Sequence, residues 1–326
     1  MAGVFGVGCR VVVAGHGAGM IELDNDDGTW NVRLDNDNEV DVETALLEHE
    51  PDGVKEIEAA GGPVVICAPY DKEKPPGWTR FVCFSDTHGL HDQIPVVNRV
   101  EADVLLHSGD FTDTGQGEQV RSFATWLKNY PATHKVVIAG NHDITFEPSY
   151  YEKNWARFHK KPYSCAESRK ALVESGCCVY LEDQLVDVMG YSIYGSPWQP
   201  AFCDWAFNAP RGESCKEKWK AIPPAVDILM THGPPSGCGD QNSGRHAVGC
   251  QDLRTAIEER SVSVSVSGHI HEGYGVSNIG KTLCINASTC THSYVPSNRP
   301  IVFDLPPPDQ LRQHAVIKMN GTVNHE

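Results

Sequence analysis

Basic residues are scarce in this chain: 27 Lys and Arg stand against 43 Asp and Glu among 326 residues, for a formal charge of -16. A surface with that balance repels polyanions, which argues against long nucleic acid as a substrate. Long apolar runs are missing too. No uncharged apolar stretch approaches the roughly 18 residues of a membrane helix, so no membrane partner is expected. The opening MAGVFGVGCRVVVAG is mildly apolar but has no basic leader, and Arg10 interrupts it early, so no signal peptide is read there. Twelve cysteines are present, but none in CxxC spacing, and Cys177 and Cys178 are neighbours. Scattered in this way they read as buried, reduced thiols of a cytoplasmic protein.

The first fifty residues hold eleven Asp and Glu against only Arg10 and Arg33. Within them Trp30, Val32 and Leu34 alternate with polar neighbours, and Val40 and Val42 repeat the pattern. The turn signals Asp27-Gly28 and Asn36-Asp37-Asn38 separate these segments, which predicts short antiparallel strands ending near Glu50 in a small SH3-like β-barrel. Residues 1–55 are therefore expected to form an acidic module that could recruit a protein partner, and residues 56–326 a second domain. In that domain apolar strands (81–84, 104–107, 136–139, 192–194, 228–230, 262–266, 283–285 and 301–303) alternate with helices at 119–128, 167–174 and 251–259. The pattern predicts a layered α/β domain with helices covering its sheets.

Polar residues able to hold a metal follow nearly every strand. Asp86-Thr87-His88 comes after the first, Gly109-Asp110-Phe111-Thr112-Asp113 after the second and Gly140-Asn141-His142-Asp143 after the third; His232-Gly233 and Gly268-His269-Ile270-His271 come later. Layered α/β proteins tend to place their sites at strand ends. Carboxylate oxygen combined with imidazole nitrogen suits Mn, Fe or Zn better than Mg or Ca. In that order DTH, GDFTD, GNHD, HG and GHIH resemble the five motifs of the calcineurin-like metallophosphoesterase superfamily. GNHD, HGPP, GHIHEGYG and NASTC are similar to its metallophosphoesterase-domain-containing branch, over roughly Trp78 to Leu305.

The resemblance implies a sandwich of two central mixed β-sheets flanked by helices, and two divalent metal ions, most readily Mn or Fe, with Zn as a third candidate. It implies that Asp86, His88 and His271 hold one ion, that Asp110 bridges to the second, and that Asn141, His232 and His269 complete the second site. By the same resemblance His142 gives a hydrogen bond or proton to the phosphate or leaving oxygen, oriented by Asp113, with Asp143 as a second candidate for that task. The implied activity is hydrolysis of small phosphodiesters, cyclic nucleotides included, by water activated on the metal pair. A phosphomonoesterase (nucleotidase or protein phosphatase) on the same centre is the alternative, and a metal- or nucleotide-binding scaffold with little turnover is another.

Blander uses exist for several of these residues. Asp86 and Asp110 could cap helices, although capping leaves the paired downstream histidines unexplained. Gly15-His16-Gly17-Ala18-Gly19 lacks the further glycine of a dinucleotide fingerprint, and Asp24-Asn25-Asp26-Asp27-Gly28 has its glycine one position too early for a calcium loop. The alternating Ser261–Ser267 stretch reads as a half-buried strand. Arg211 and Arg245 are candidate phosphate or base contacts. His91 and His246 lie near enough to the motifs to watch, and the remaining histidines, His292 and His159 among them, are read as having no task at the site.

Overall fold

A computed structural model describes residues 10–13, 17–24, 29–34, 39–43, 47–49, 62–66, 70–94 and 99–319, with backbone alone for those up to 49 and from 314 onward. The chain divides into two compact units, Met1–Lys55 and Glu56–Glu326. In the first, β1 (Arg10–Val13), β2 (Gly17–Asp24), β3 (Thr29–Leu34), β4 (Glu39–Glu43) and β5 (Leu47–His49) form an antiparallel sheet in the order β4-β3-β2-β1-β5. The alternating residues around Trp30 and Val40 fall in β3 and β4. The turn residues 27–28 and 36–38 lie outside the described residues.

In the second unit one six-stranded sheet is built from β6 (Val64–Ile66), β7 (Thr79–Phe84), β8 (Ala102–Ser108), β9 (Ala132–Ile138) and β10 (Val179–Tyr180), in the order β10-β9-β8-β7-β19-β6, with β19 (Ile301–Leu305) arriving from the end of the chain. A second contains β11 (Gln184–Val188), β12 (Tyr191–Ser196), β15 (Ala225–Thr231), β16 (Ser261–Ser267), β17 (Gly275–Ile279) and β18 (Thr282–Asn286), in the order β11-β12-β15-β16-β18-β17. Two short strands, β13 (Gln199–Pro200) and β14 (Asn208–Ala209), pair with each other. The helices are α1 (Gly117–Asn129), α2 (Pro148–Asn154), α3 (Cys165–Val173), α4 (Glu213–Lys220), α5 (Gln251–Glu259) and α6 (Pro308–Met319).

Both sheets are mixed. Strands β7 to β10 run parallel, as do β12, β15, β16 and β18, while β19, β11 and β17 pair antiparallel with their neighbours. Every residue of β7 is buried, because strands flank it and layers cover both faces. On one side Phe84, Leu105 and Val137 pack with Val120, Phe123 and Leu127 of α1; on the far side of the other sheet Leu229 and Val262 pack with Trp219 of α4 and Leu253 and Ile257 of α5. Between the sheets Phe81 stacks on Phe303 and meets the edge of Tyr191. A Cβ on Gly195 would come within 2.7 Å of Ile138 and Leu181, so only glycine permits this approach of the sheets. Arg80 can sit in the buried β7 because its guanidinium makes a two-pronged ion pair, at 2.8 and 2.9 Å, with its cross-strand partner Asp304.

The serine-valine strand β16 departs from expectation. Ser265 and Ser267 are as buried as the valines, because β16 is interior to its sheet; the Ser267 hydroxyl is absorbed by the Ile285 carbonyl at 3.2 Å.

Candidate metal centre

The parallel strands of the two sheets end along one edge, where a bridge between Ser85 and Ser288 joins them. Main-chain bonds then zip the motif loops together: Asp86 N–H to Gly109 O, His88 N–H to Asp110 O, and Gly268 N–H to His232 O, each at 2.9 Å. Asp86, His88, Asp110 and His269 all adopt positive φ, between 44° and 68°. Asp tolerates that region better than most residues, but four such positions within one cluster store backbone strain, a recurrent property of functional sites.

This folding gathers six of the expected donors in two groups, Asp86, His88 and His271, and Asp110, His232 and His269, with Asn141 beside the second. Within each group one donor atom per residue lies within 4.8 Å of the others. His88 also faces His271, with Nε2 atoms 3.2 Å apart, and Asn141 Oδ1 is 2.9 Å from His232 Nε2. Asp110 lies between the groups, its Oδ2 at 3.3 Å from His232 and 4.0 Å from His88, while Oδ1 accepts the His142 N–H at 2.8 Å. Asp86 is fixed by the His269 N–H and by the Ser288 hydroxyl, each at 2.9 Å.

Outer contacts aim the imidazoles. His232 Nδ1 bonds to the Ser108 carbonyl and His271 Nδ1 to the Thr291 carbonyl, both at 2.9 Å, which leaves each Nε2 turned inward. His88 Nδ1 is buried with no partner among the described residues. Charge completes the fit to cations. Burial opposes charge on His232 and His271, but Asp110 beside the first and Asp86 beside the second raise both to about 9. Burial dominates at His88 and His269, which are lowered to about 3. Burial likewise works against ionised Asp86 and Asp110, yet the surrounding imidazoles hold both below the usual carboxylate range. Two buried carboxylates are thus balanced by two imidazolium protons, an arrangement that divalent ions can replace. The mixed N/O donor set suits a transition ion.

His142 stands at the rim, half-buried, with its ring stacked on Trp205 (4.1 Å between centroids) and edge-on to His88 at 4.6 Å. Its Nδ1 is 2.7 Å from Asp113, but from the main-chain carbonyl. Asp113 thus meets His142 through its main chain, and its exposed carboxylate does not make this bond. Asp143 has a separate task. Buried, it accepts from Gly140 N–H (2.8 Å), Thr112 N–H (2.9 Å) and Thr112 Oγ1 (2.7 Å), so it ties the GNHD loop to the GDFTD loop. Burial and then the nearby Asp110 carboxylate push its pKa up to about 8, against the pull of those donors.

A cavity of about 630 Å³ opens over the centre, lined by Asp110, Asn141, His142, His269 and His271. Its far walls were not foreseen: Phe202, Trp205, Tyr294, His292, Asn242 and Ser243. Trp205 and Tyr294 carry no local signal, being brought in by loops remote from the motifs, and His292 lies in no motif. Arg211 does line the cavity, but its guanidinium is engaged by the Val248 and Gly249 carbonyls. Arg245 is exposed outside the cavity lining, as is His246, and His91 is buried away from it against Ser122 (2.9 Å). His159 bonds Tyr151 and Thr114 beside the GDFTD loop. His107, inside β8, bonds the Thr87 hydroxyl at 3.1 Å behind the ligand loop.

Comparison with known proteins points to the same family. The calcineurin-like phosphoesterase profile matches residues 79–273. The human and mouse proteins called Metallophosphoesterase domain-containing protein 1 are each 46% identical over 252 residues, an alignment spanning 74% of this chain and 75% of theirs. A UPF0046 protein of Caenorhabditis elegans is 37% identical over 241 residues, 72% of this chain and 84% of its own. With the profile covering the very strands and loops that gather the Asp and His donors, the chain belongs to the calcineurin-like phosphoesterase family.

Proposed function

We propose that the protein is a metal-dependent phosphodiesterase for small phosphodiesters, cyclic nucleotides among them. One observation carries this reading: two Asp/His donor groups sharing the neighbourhood of Asp110, with His142 above them at the floor of an aromatic-walled cavity. Asp86, His88 and His271 would hold one ion, Asn141, His232 and His269 the other, with Asp110 serving both; Mn or Fe suits the set best, and Zn is admissible. When bound, such a pair supplies Lewis acidity, neutralising phosphate charge and lowering the pKa of a water toward about 7. The protein's own groups do the rest. With Nδ1 committed to the Asp113 carbonyl, His142 keeps Nε2 for the leaving oxygen, and the Trp205 stack holds the ring plane.

The cavity wall narrows the substrate. Arg211 is the only Lys or Arg among its lining residues, and its charge is already engaged. A second phosphate finds no seat there, whereas Phe202, Trp205 and Tyr294 suit a flat, uncharged ester arm. That favours a singly phosphorylated diester over polyphosphates or phosphoproteins. The test compares bis-p-nitrophenyl phosphate with p-nitrophenyl phosphate in the presence of Mn. Turnover confined to the monoester would make the protein a phosphomonoesterase, and background turnover with both would leave a binding scaffold. His142→Ala should keep its metal content while losing about a hundredfold in rate; loss of metal would reassign His142 as a ligand.

For the first unit we infer the SH3-like barrel, supported by the pairing of β1 with both β2 and β5. Its acidic strands fit it for docking a protein partner. No helix among the described residues is long and apolar enough to cross a membrane, and we assign the protein to the cytoplasm on its pattern of reduced thiols.

A further inference from the structure

Behind the cavity wall, three side chains with no part in the Asp/His centre converge. Cys215 lies in the first turn of α4, Cys250 caps α5, and Asp252 lies in the first turn of α5. One sulfur or carboxylate oxygen from each lies within 4.8 Å of the others. Among the described residues it is the only such group that contains sulfur. Both cysteines are buried, at 0% and 1% exposure, while Asp252 is half-buried and gives the cluster a side open to water.

We propose that Cys215, Cys250 and Asp252 form a separate site for one zinc ion, which fastens α4 to the start of α5. Zinc takes sulfur at about 2.3 Å and oxygen at about 2.0 Å, so tetrahedral donors stand roughly 3.7 Å apart. The three donors need contract by at most about 1 Å to reach that spacing. Two sulfurs and one carboxylate select a borderline-soft ion over Mg or Ca. The surroundings favour Cys250 as the thiolate: its Sγ accepts the Trp219 indole N–H at 3.3 Å and the Leu253 N–H at 3.4 Å, the latter at the positive end of α5. Cys215 directs its thiol at the Ala209 carbonyl, 3.4 Å away, and Asp252 is steadied by the Gly212 N–H at 3.2 Å. Each thiol gives up its proton to solvent as the ion binds, and the fourth position is left to water on the Asp252 side.

The location gives the site a structural consequence. Val248 and Gly249, which immediately precede Cys250, line the phosphoesterase cavity and hold Arg211, while Cys250 itself exchanges main-chain bonds with Pro234 and Ser236 of the HGPP loop. An ion here would stiffen that wall from behind. The proposal does not depend on the hydrolytic reading, because the Asp/His centre contains no sulfur.

Cobalt makes the test specific. The reduced, chelator-stripped full chain is titrated with Co(II), and thiolate-to-cobalt absorption is read in the near ultraviolet, a band to which oxygen and nitrogen donors do not contribute. The expected result is that band in the native chain, its loss in Cys250→Ser and Cys215→Ser, and one zinc equivalent fewer in each variant by elemental analysis. Serine at 250 still caps α5, so the fold is kept. Should a cysteine variant fail to fold, Asp252→Asn changes charge without shape and should weaken zinc at this site at least tenfold. The proposal is overturned if the native chain shows no band, if the band persists in both serine variants, or if zinc-loaded protein yields a Cys215–Cys250 disulfide by mass spectrometry.

Discussion

Filling the Asp/His centre with divalent ions should release two protons per chain near neutral pH. His232 and His271 are held at about 9, so both are protonated at pH 7, whereas His88 and His269, lowered to about 3, have no proton to give. Each donor group therefore contains one imidazolium whose proton an ion must displace. The affinity of each ion should rise about tenfold per pH unit, roughly a hundredfold between about pH 6.5 and 8.5, and level off above about 9. Titration calorimetry with Mn in buffers of differing ionisation enthalpy counts the protons directly, and His271→Gln should remove one of the two. The stability of the ion-free protein carries the same signature. A histidine raised from about 6.5 to about 9 stabilises the fold fully below about 6.5, and that contribution is lost as pH rises through about 9, on the order of 3 kcal/mol per carboxylate pair. Ion-free protein should thus melt lower at pH 9 than at pH 7, while loaded protein shows no such fall. Ion binding that releases no protons and has a flat pH dependence would refute the assigned charge states.

Three further outcomes follow from the geometry. In Gly268→Ala the new methyl would overlap the Asp86 carboxylate and come within 2.6 Å of Ser85 Cβ, so the chain should lose about 1–3 kcal/mol of stability and the ion proposed for the Asp86 group; unchanged melting and metal content would contradict the packing. Asp143→Asn keeps the shape but trades one accepting oxygen for a donor facing donors, at about 1–3 kcal/mol in a denaturant melt above about pH 8, where the carboxylate is ionised; a neutral result there would contradict the donor set around Asp143. Asp113→Asn leaves the main-chain carbonyl that His142 uses, so the pH profile of turnover should not move; a tenfold loss would restore the carboxylate to the orienting role.

Legibility in the sequence followed how local each feature is. The central strands announce themselves because burial on both faces demands continuous apolar residues, as in Phe81-Val82-Cys83-Phe84. Edge strands do not. Gln184–Val188 is mostly exposed or half-exposed, and Gly275–Ile279 only partly buried, so neither carries a clean alternation. Helix α4 reads ESCKEKWK, and it buries only Cys215 and Trp219, four residues apart, too faint a stripe to detect. Most candidate donors were readable because they sit beside a glycine at a strand end, and Asp86 and His271 because a second donor, His88 or His269, lies two residues away. The aromatic wall was not: Trp205 and Tyr294 reach His142 only after loops far apart in sequence have folded over it.

The glycines of the motifs explain why that local signal exists at all. Gly109 precedes Asp110, Gly140 precedes Asn141 and Gly268 precedes His269, and at each a Cβ would strike the centre itself. At Gly109 it would lie 2.5 Å from His232 Nδ1 and 2.7 Å from the Ala139 carbonyl; at Gly140, 2.5 Å from His232 Cε1; at Gly268, on the Asp86 carboxylate. Adjacent strands and loops converge at these positions more closely than any side chain permits, so the chain bares its backbone one residue before each donor and projects the donor itself inward. With Asp86, His88, Asp110 and His269 in left-handed backbone as well, the strand ends are bent to put donors within a few ångströms of one another. Packing the buried sheets more comfortably would require none of this. The strain and the missing side chains are paid for by the core strands behind them, and what they secure is the one arrangement in which two buried carboxylates and four imidazoles can share a small volume with cations.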